Sequence, residues 1–244
     1  MIALSDRRLI SISGEDKEEF LQGLITNDVN KLRDDNALFA CMLTPQGKFL
    51  FDFFLYKKDG RIIIDINEKF LNDFIKKLKI YKLRSNIEVS ELEGSVFLDT
   101  ENSDGSYPDP RNPKFGGRVI KFDKQGQTSS LDEYHDRRIK YKMVDGAYDL
   151  IQDKSFILEY GYNEMNAIDF DKGCYIGQEV TTRTFRRGVI RKAIYIINLD
   201  DSLKDVEQGD SITFADKKVG SLCFKHGDKA FALLKKDSSD IALY

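Results

Sequence analysis

Three runs decide the fold class: Ala37-Leu38-Phe39-Ala40-Cys41-Met42-Leu43, Phe49-Leu50-Phe51-Asp52-Phe53-Phe54-Leu55-Tyr56 and Arg61-Ile62-Ile63-Ile64-Asp65-Ile66. They are rich in aromatic and β-branched residues, and the turn sequences Thr44-Pro45-Gln46-Gly47 and Asp59-Gly60 separate them. They therefore read as an antiparallel meander, partly buried on both faces. Asn67 then caps a helix whose Phe70, Leu71, Phe74, Ile75, Leu78 and Tyr81 make one apolar stripe, and Ile87–Leu92 and Ser95–Asp99 return to strand. Three strands, a helix and further strands describe an antiparallel sheet covered on one side, an α+β arrangement.

On the N-terminal side of this block, Ser13 is placed to cap a helix through Phe20, Leu21, Leu24, Ile25 and Val29, with Asp16 in its first turn. On the other side, residues 101–117 are rich in proline, glycine, serine and aspartate and read as a surface loop. Gly117–Phe122 reads as a strand. Ser130 and Glu133 have the spacing of a capping box, which opens a helix through Tyr134, Arg138 and Met143. Residues 155–170 lead into a glycine-bracketed loop, and the polar residues after Gly177 continue as a short helix to Arg187. From Gly188 the chain reads as all β, with short runs at Val189–Leu199, Ser211–Phe214, Val219–Phe224 and Lys229–Leu234. The expected organisation is an α+β body over residues 1–187, sheet-rich over about 37–122, followed by a small C-terminal β-barrel over 188–244.

The 244 residues are 41% hydrophobic and 32% charged, and 38 Lys and Arg stand against 41 Asp and Glu. A net charge of −3 argues against a general nucleic-acid binder, whose affinity rests on excess cations. Met1–Arg8 has no long apolar run, and nowhere do about 18 apolar residues stand together, so a cytoplasmic protein without a membrane segment is expected. Cys41, Cys174 and Cys223 are odd in number and far apart, and no Cys-x-x-Cys occurs, so neither a disulfide framework nor a zinc site is indicated. Dinucleotide, P-loop and zinc-peptidase motifs are absent.

The densest concentration of chemical groups is Lys172-Gly173-Cys174-Tyr175-Ile176-Gly177-Gln178-Glu179. Gly173 and Gly177 suggest a shaped loop. Lys172 and a helix starting near Gln178 are placed to stabilise a thiolate at Cys174; the competing reading is a small buried hydrophobe. Arg183, Arg186, Arg187, Arg191 and Lys192 follow closely and suit an acidic ligand tail, or else form a solvated charged face. Asn27, Asp28, Glu159, Gln178 and Glu179 are candidates to orient a heterocycle in an apolar pocket, or else are caps and surface residues.

The octapeptide at Lys172, followed by Thr182-Arg183 and Gly188-Val189-Ile190-Arg191-Lys192, resembles the signature of the YgfZ family of folate-binding proteins, whose mitochondrial relatives assist iron–sulfur cluster assembly. The likeness extends to Phe20-Leu21-Gln22-Gly23-Leu24-Ile25-Thr26-Asn27-Asp28-Val29, Thr44-Pro45-Gln46-Gly47-Lys48, Tyr81-Lys82-Leu83-Arg84-Ser85 and Asp109-Pro110-Arg111, and so covers nearly the whole chain. It implies the GcvT-like fold of the glycine-cleavage aminomethyltransferase: antiparallel sheets around a folate pocket and a small C-terminal β-barrel. By the resemblance, Cys174 is the motif cysteine, with Lys172 its catalytic neighbour. Asn27, Asp28, Glu159, Gln178, Glu179, Arg183 and Arg191 lie at the tetrahydrofolate or its glutamate tail. Where relatives tend to carry Asn two residues after the acid at 159, this chain has Gly161. The implied function is a tetrahydrofolate-binding protein that assists cluster assembly or repair in client enzymes, including tRNA-modifying ones, without contacting nucleic acid itself. The alternatives are a folate-dependent aminomethyltransferase, for which Asp52 and Asp99 are available acids, and a non-catalytic adaptor.

Overall fold

The computed structural model describes residues 1–123, 131–188, 190–201, 203–214 and 216–237. In chain order the N-terminal elements are β1 (Ile2–Ala3), β2 (Arg7–Ser13), α1 (Lys17–Gln22), β3 (Ala37–Leu43), β4 (Phe49–Lys58), β5 (Arg61–Asn67) and α2 (Glu68–Lys82). They are followed by β6 (Glu88–Leu92), β7 (Ser95–Asp99), β8 (Tyr107–Pro108), β9 (Gly117–Lys121), α3 (Asp132–Tyr141), α4 (Gly146–Asp149) and α5 (Gln178–Arg187). The C-terminal strands are β10 (Lys192–Asn198), β11 (Ser211–Phe214), β12 (Lys217–His226) and β13 (Lys229–Lys235).

The meander forms as expected and is the centre of a five-stranded antiparallel sheet, β3-β4-β5-β2-β6. Successive side chains of a strand point to opposite faces. Phe51 and Phe53 thus meet Phe70 and Phe74 of α2 with ring centroids 4.9–5.7 Å apart. Rings buried this completely each contribute roughly 1.5–3 kcal/mol. Asn67 caps α2 as the sequence indicates, its side chain accepting from the Lys69 amide.

The expectation of a sheet covered on one side is incomplete. Its second face lies against the four-stranded sheet β1-β7-β9-β8, and the two are joined by a buried ionic layer. Asp65 accepts from Arg7 Nε at 2.6 Å and from Arg118 Nη2 of β9 at 2.5 Å, while the Arg118 guanidinium lies 3.8 Å from the Phe54 ring centroid. Burial alone would raise the Asp65 carboxyl, but Arg118 and Arg7 overcome this and hold it below the usual range.

The N-terminal helix also differs from expectation. Arg7–Ser13 is a strand paired with both β5 and β6, so Ser13 closes β2 rather than capping a helix. The helix itself runs only from Lys17 to Gln22. Leu24 and Ile25 belong to a reversal after Gly23, where Ile25 makes an isolated bridge to Met42. Of the expected capping box, Ser130 lies outside the described residues; α3 begins after Leu131, with Glu133 in its first turn. Val189 and the end of the expected C-terminal barrel likewise lie outside them.

The C-terminal strands form an antiparallel sheet in the order β10-β13-β12-β11. Among the described residues β10 and β11 are its edges, so it is an open sheet and not the closed barrel expected. Phe231, Leu233 and Cys223 join the core of the body, whereas Ile197, Leu222 and Leu234 make a second, smaller cluster.

Candidate functional site

The Lys172–Glu179 loop is held by the reversal that follows α1. A helix leaves its last carbonyl groups without intrahelical partners. Here the chain turns back at Gly23, and Lys172 Nζ takes up the carbonyls of Gln22 at 2.9 Å, Ile25 at 2.7 Å and Asn27 at 2.7 Å. An ammonium has three donors, so Lys172 is saturated. Burial pushes it down to about 8 against the opposing charges of Asp28 and Asp169, which leaves it a cation at neutral pH.

Further bonds brace the reversal and the loop, within each and to the chain around them. The Ile176 amide donates to the Gly23 carbonyl at 3.3 Å, Thr26 Oγ1 to the Ala167 carbonyl at 2.6 Å, and Asn27 Nδ2 to the carbonyls of Phe39 and Asn166, both at 2.8 Å. Asp28 accepts from the Asn30 amide and from Gln22 Nε2. Gln178 Nε2 reaches back to the carbonyls of Lys172 and Gly173 at 3.4 and 3.3 Å. Lys172, Asn27, Asp28 and Gln178 are thus joints of the scaffold. Glu179 and Arg183 pair with each other at 3.6 Å on the exposed side of α5.

Cys174 is exposed on this loop, while Cys41 and Cys223 are buried and burial pushes both of their thiols up. Gly173 leaves open space beside Cys174: a Cβ built there meets nothing within 4 Å. Gly177 has a different role. Its φ of +86° lies in the left-handed region, and a Cβ there would stand 2.6 Å from the Thr44 carbonyl oxygen. The loop therefore seats directly on the Thr44–Gly47 turn.

That turn borders a cleft of two adjoining chambers. The first, about 220 Å³, is lined chiefly by Gly47, Phe156, Ile157, Val180, Thr184 and Arg191. The second, about 330 Å³, takes in Lys142, Gly161, Asn163, Glu164, Lys192 and Lys236. Leu158, Glu159 and Ile190 belong to both. A short 3₁₀ turn, Ile157–Tyr160, sets Glu159 in this dividing wall and ends at Gly161 with φ +76°. The Glu159 carboxylate has no hydrogen-bond or ion-pair partner among the described residues. Of the residues expected at a ligand, then, the structure brings Glu159 and Arg191 to the cleft and leaves the rest outside it.

Phe156, Val180 and Thr184 escaped the sequence reading, although Val180 and Thr184 have the i, i+4 spacing of one helix face. Lys142 and Lys236 carried no local signal, because they come from separate elements. The two acids available to a transferase also lie away from the cleft. Asp52 Oδ2 is enclosed by the Tyr162 hydroxyl at 2.8 Å and the Gly146 amide at 2.9 Å, and Asp99 accepts from the amides of Glu101 and Ser103. No group of three or more His, Cys, Asp or Glu arranged to hold a metal ion occurs among the described residues, nor is any helix there long and apolar enough to cross a membrane.

No family model matches the chain. It is 34% identical over 226 residues to the mitochondrial iron–sulfur cluster assembly factor IBA57 homolog of Neurospora crassa, covering 78% of this chain and 52% of that protein. It is 33% identical over 218 residues to the corresponding protein of Mycosarcoma maydis, covering 77% and 54%. The chain thus spans about half the length of these relatives. Among solved structures, the glycine cleavage system aminomethyltransferase T from Bartonella henselae superposes with a TM-score of 0.70 at 12% identity, covering 96% of this chain and 77% of that one. Over the residues it shares with these relatives, the chain is a homologue of the IBA57 iron–sulfur cluster assembly factors, as its likeness to the YgfZ family implied, and it has the fold of an aminomethyltransferase.

Proposed function

We propose that this protein binds tetrahydrofolate or a one-carbon derivative in the two-chambered cleft. We further propose that it supports assembly or repair of iron–sulfur clusters in client enzymes, tRNA-modifying enzymes among them, through the exposed thiol of Cys174. The observation that carries the folate reading is the unpartnered Glu159 carboxylate between an apolar chamber and a cationic one. A reduced pterin is flat, largely apolar on its faces and edged with adjacent N–H donors that a carboxylate accepts in pairs; its benzoyl-glutamate arm is anionic. Phe156, Ile157 and Val180 suit the ring, Glu159 its donor edge, and the lysines beyond it the arm. The named activity of the relatives supports the cluster role. With its neighbouring Gly173 leaving open space, Cys174 is accessible to a protein-borne cluster that supplies its remaining ligands from the partner.

Equilibrium binding of tetrahydrofolate under anaerobic, reducing conditions tests the first half. Glu159→Gln should weaken binding about tenfold or more, as loss of a charge-assisted hydrogen bond does, and Gln178→Ala should leave it unchanged. Absence of saturable binding to the wild type would refute the folate reading. For the second half, Cys174→Ser should lose the ability to restore a cluster-dependent enzyme in cells lacking the protein while still binding folate. Full restoration would refute the role of the thiol. Placement of Asp52 and Asp99 outside the cleft counts against the aminomethyltransferase alternative, which needs an acid at the reacting nitrogen.

A further inference from the structure

The end of α2 combines positive charge with exposed apolar side chains, and packing uses neither. Residues 76–84 run Lys76-Lys77-Leu78-Lys79-Ile80-Tyr81-Lys82-Leu83-Arg84, five cations with no acid among them, in a chain whose net charge is −3. None of the five has an ion-pair partner among the described residues. Phe70, Phe74 and Leu78 turn inward, and Tyr81 packs against the same core. The helical repeat therefore leaves Lys76, Lys79 and Ile80 on the opposite, exposed face, and Leu83 and Arg84 follow in the exposed turn that ends the helix. Ile80 is 55% exposed and Leu83 87%. Leu83 also holds a φ of +36°, which strains a leucine, and burial of its side chain gives little in return.

The helix dipole accounts for Lys79 and Lys82 in the last turn, but its influence fades beyond that turn. It gives no reason for Lys76, Lys77 and Arg84, nor for two bare aliphatic side chains among them. A surface anionic at its boundary and apolar beneath accounts for all of these. We propose that the end of α2 docks on an anionic lipid surface. Ile80 and Leu83 enter the boundary between headgroups and acyl chains, and the five cations lie among the lipid phosphates and carboxylates. The lysine stems run along apolar matter while their ammonium groups stay at the polar level. A nucleic acid fits less well: single strands stack on exposed aromatic rings and phosphates favour arginine forks, whereas this tip exposes aliphatic side chains and four of its five cations are lysine. An acidic protein segment also fits less well. The groove of about 880 Å³ beside the tip has Asp16 and Glu19 from the start of α1 in its walls together with Lys82 and Arg84, so it is of mixed sign. The docking is peripheral, since no described helix is long and apolar enough to cross a bilayer, and it is independent of the cleft and of Cys174.

The test is sedimentation of the full chain with vesicles of phosphatidylcholine alone and with about 30 mol% phosphatidylserine added, at about 50 mM and about 300 mM salt. The protein should bind the anionic vesicles, less tightly at the higher salt, and leave the neutral ones. A Lys76→Gln, Lys79→Gln, Lys82→Gln variant should lose about a hundredfold in affinity, at about fivefold per cation. An Ile80→Gln, Leu83→Gly variant should lose about tenfold or more; both positions are exposed, and glycine relieves the positive φ. Thermal melts confirm that both variants are folded. The chain has no tryptophan, so Leu83→Trp places a single indole at the tip. Its emission should shift to the blue on the anionic vesicles, while that of Phe214→Trp, at an exposed position of β11, should not. Failure of the wild type to bind anionic vesicles, full affinity in the lysine variant, or an equal shift at position 214 would each overturn the proposal. Binding of a mixed-sequence RNA that the lysine variant loses, without binding of vesicles, would overturn it in favour of a nucleic acid.

Discussion

Replacing Lys172 by Met separates two roles that the sequence leaves joined. In the structure its ammonium donates to three backbone carbonyls, at 2.9, 2.7 and 2.7 Å, and these hold the α1 reversal against the motif loop. Hydrogen bonds from a charged donor are worth about 1.5–3 kcal/mol each, so three near the lower bound represent about 4–5 kcal/mol. Met keeps most of the aliphatic stem, and removing a buried cation recovers part of its desolvation cost. The net loss should be about 3 kcal/mol. In a chain of this size that lowers Tm by about 6–12 °C, and it should move the urea midpoint without changing the slope. Thermal and urea unfolding, run beside alkylation of Cys174 in the folded protein, measure it. A Tm within about 2 °C of wild type, accompanied by a fall in Cys174 reactivity, would refute the clamp and return Lys172 to the role of thiol activator.

Two further changes test other parts of the site. Gly161→Asn should cost about 1 kcal/mol of stability, because φ +76° strains any side chain, Asn less than most, while the nearest atom to a new Cβ is 3.8 Å away. It should tighten tetrahydrofolate binding severalfold by adding an amide to the second chamber; unchanged binding would show that position 161 does not face the ligand. Asp52→Asn tests a charge. Burial, reinforced by Asp145, raises the Asp52 carboxyl, so the native state binds its proton more tightly than the unfolded chain does, and stability falls as pH rises from about 4 to about 6. Asn keeps an acceptor for Tyr162 and Gly146, although Oδ1 of the native carboxylate has no donor and an amide placed there would lack an acceptor. The variant should be more stable than wild type by about 1–2 kcal/mol at pH 8, and the difference should vanish only below about pH 3.5, under the unfolded carboxyl's range, as read by urea unfolding. A difference independent of pH would refute the assignment.

The parts of the fold legible in the sequence are those where a local pattern and a tertiary contact agree. Ala37–Ile66 alternates onto two covered faces, and the stripe from Phe70 to Leu78 points to one of them, so meander and helix were both readable. The reading failed around Ser13 because Arg7–Ser13 derives its strand character from pairing with β5 and β6, whereas Ser13 with Asp16 mimics a cap. Leu24 and Ile25 continue a helical spacing, but the helix is ended by contacts remote in sequence: Met42 takes up Ile25, and Lys172 takes up the free carbonyls. For the site, composition located the motif loop and its exposed cysteine. Polar residue type could not separate ligand contacts from joints, since Asn27, Asp28 and Gln178 satisfy backbone groups with the same atoms that would bind a heterocycle.

The expected site placed thiol, lysine and ligand at one point, and their separation in the structure follows from the size of what each would meet. A chamber of about 220 Å³ admits a heterocycle and excludes a folded protein, whereas a cluster carried by a protein can reach a thiol only at the surface. The two are nevertheless built on common elements. Val180, Thr181 and Thr184 of α5 line the first chamber, and the same helix begins four residues after Cys174. Gly47 lines that chamber too and abuts both Val180 and the Gly177 carbonyl, so the Thr44–Gly47 turn supports the loop while bordering the cleft. Lys172 and Gly177 fix the loop at its ends. A ligand in the first chamber would touch the helix and turn that carry the loop, while the Cys174 thiol itself lies exposed outside the cleft.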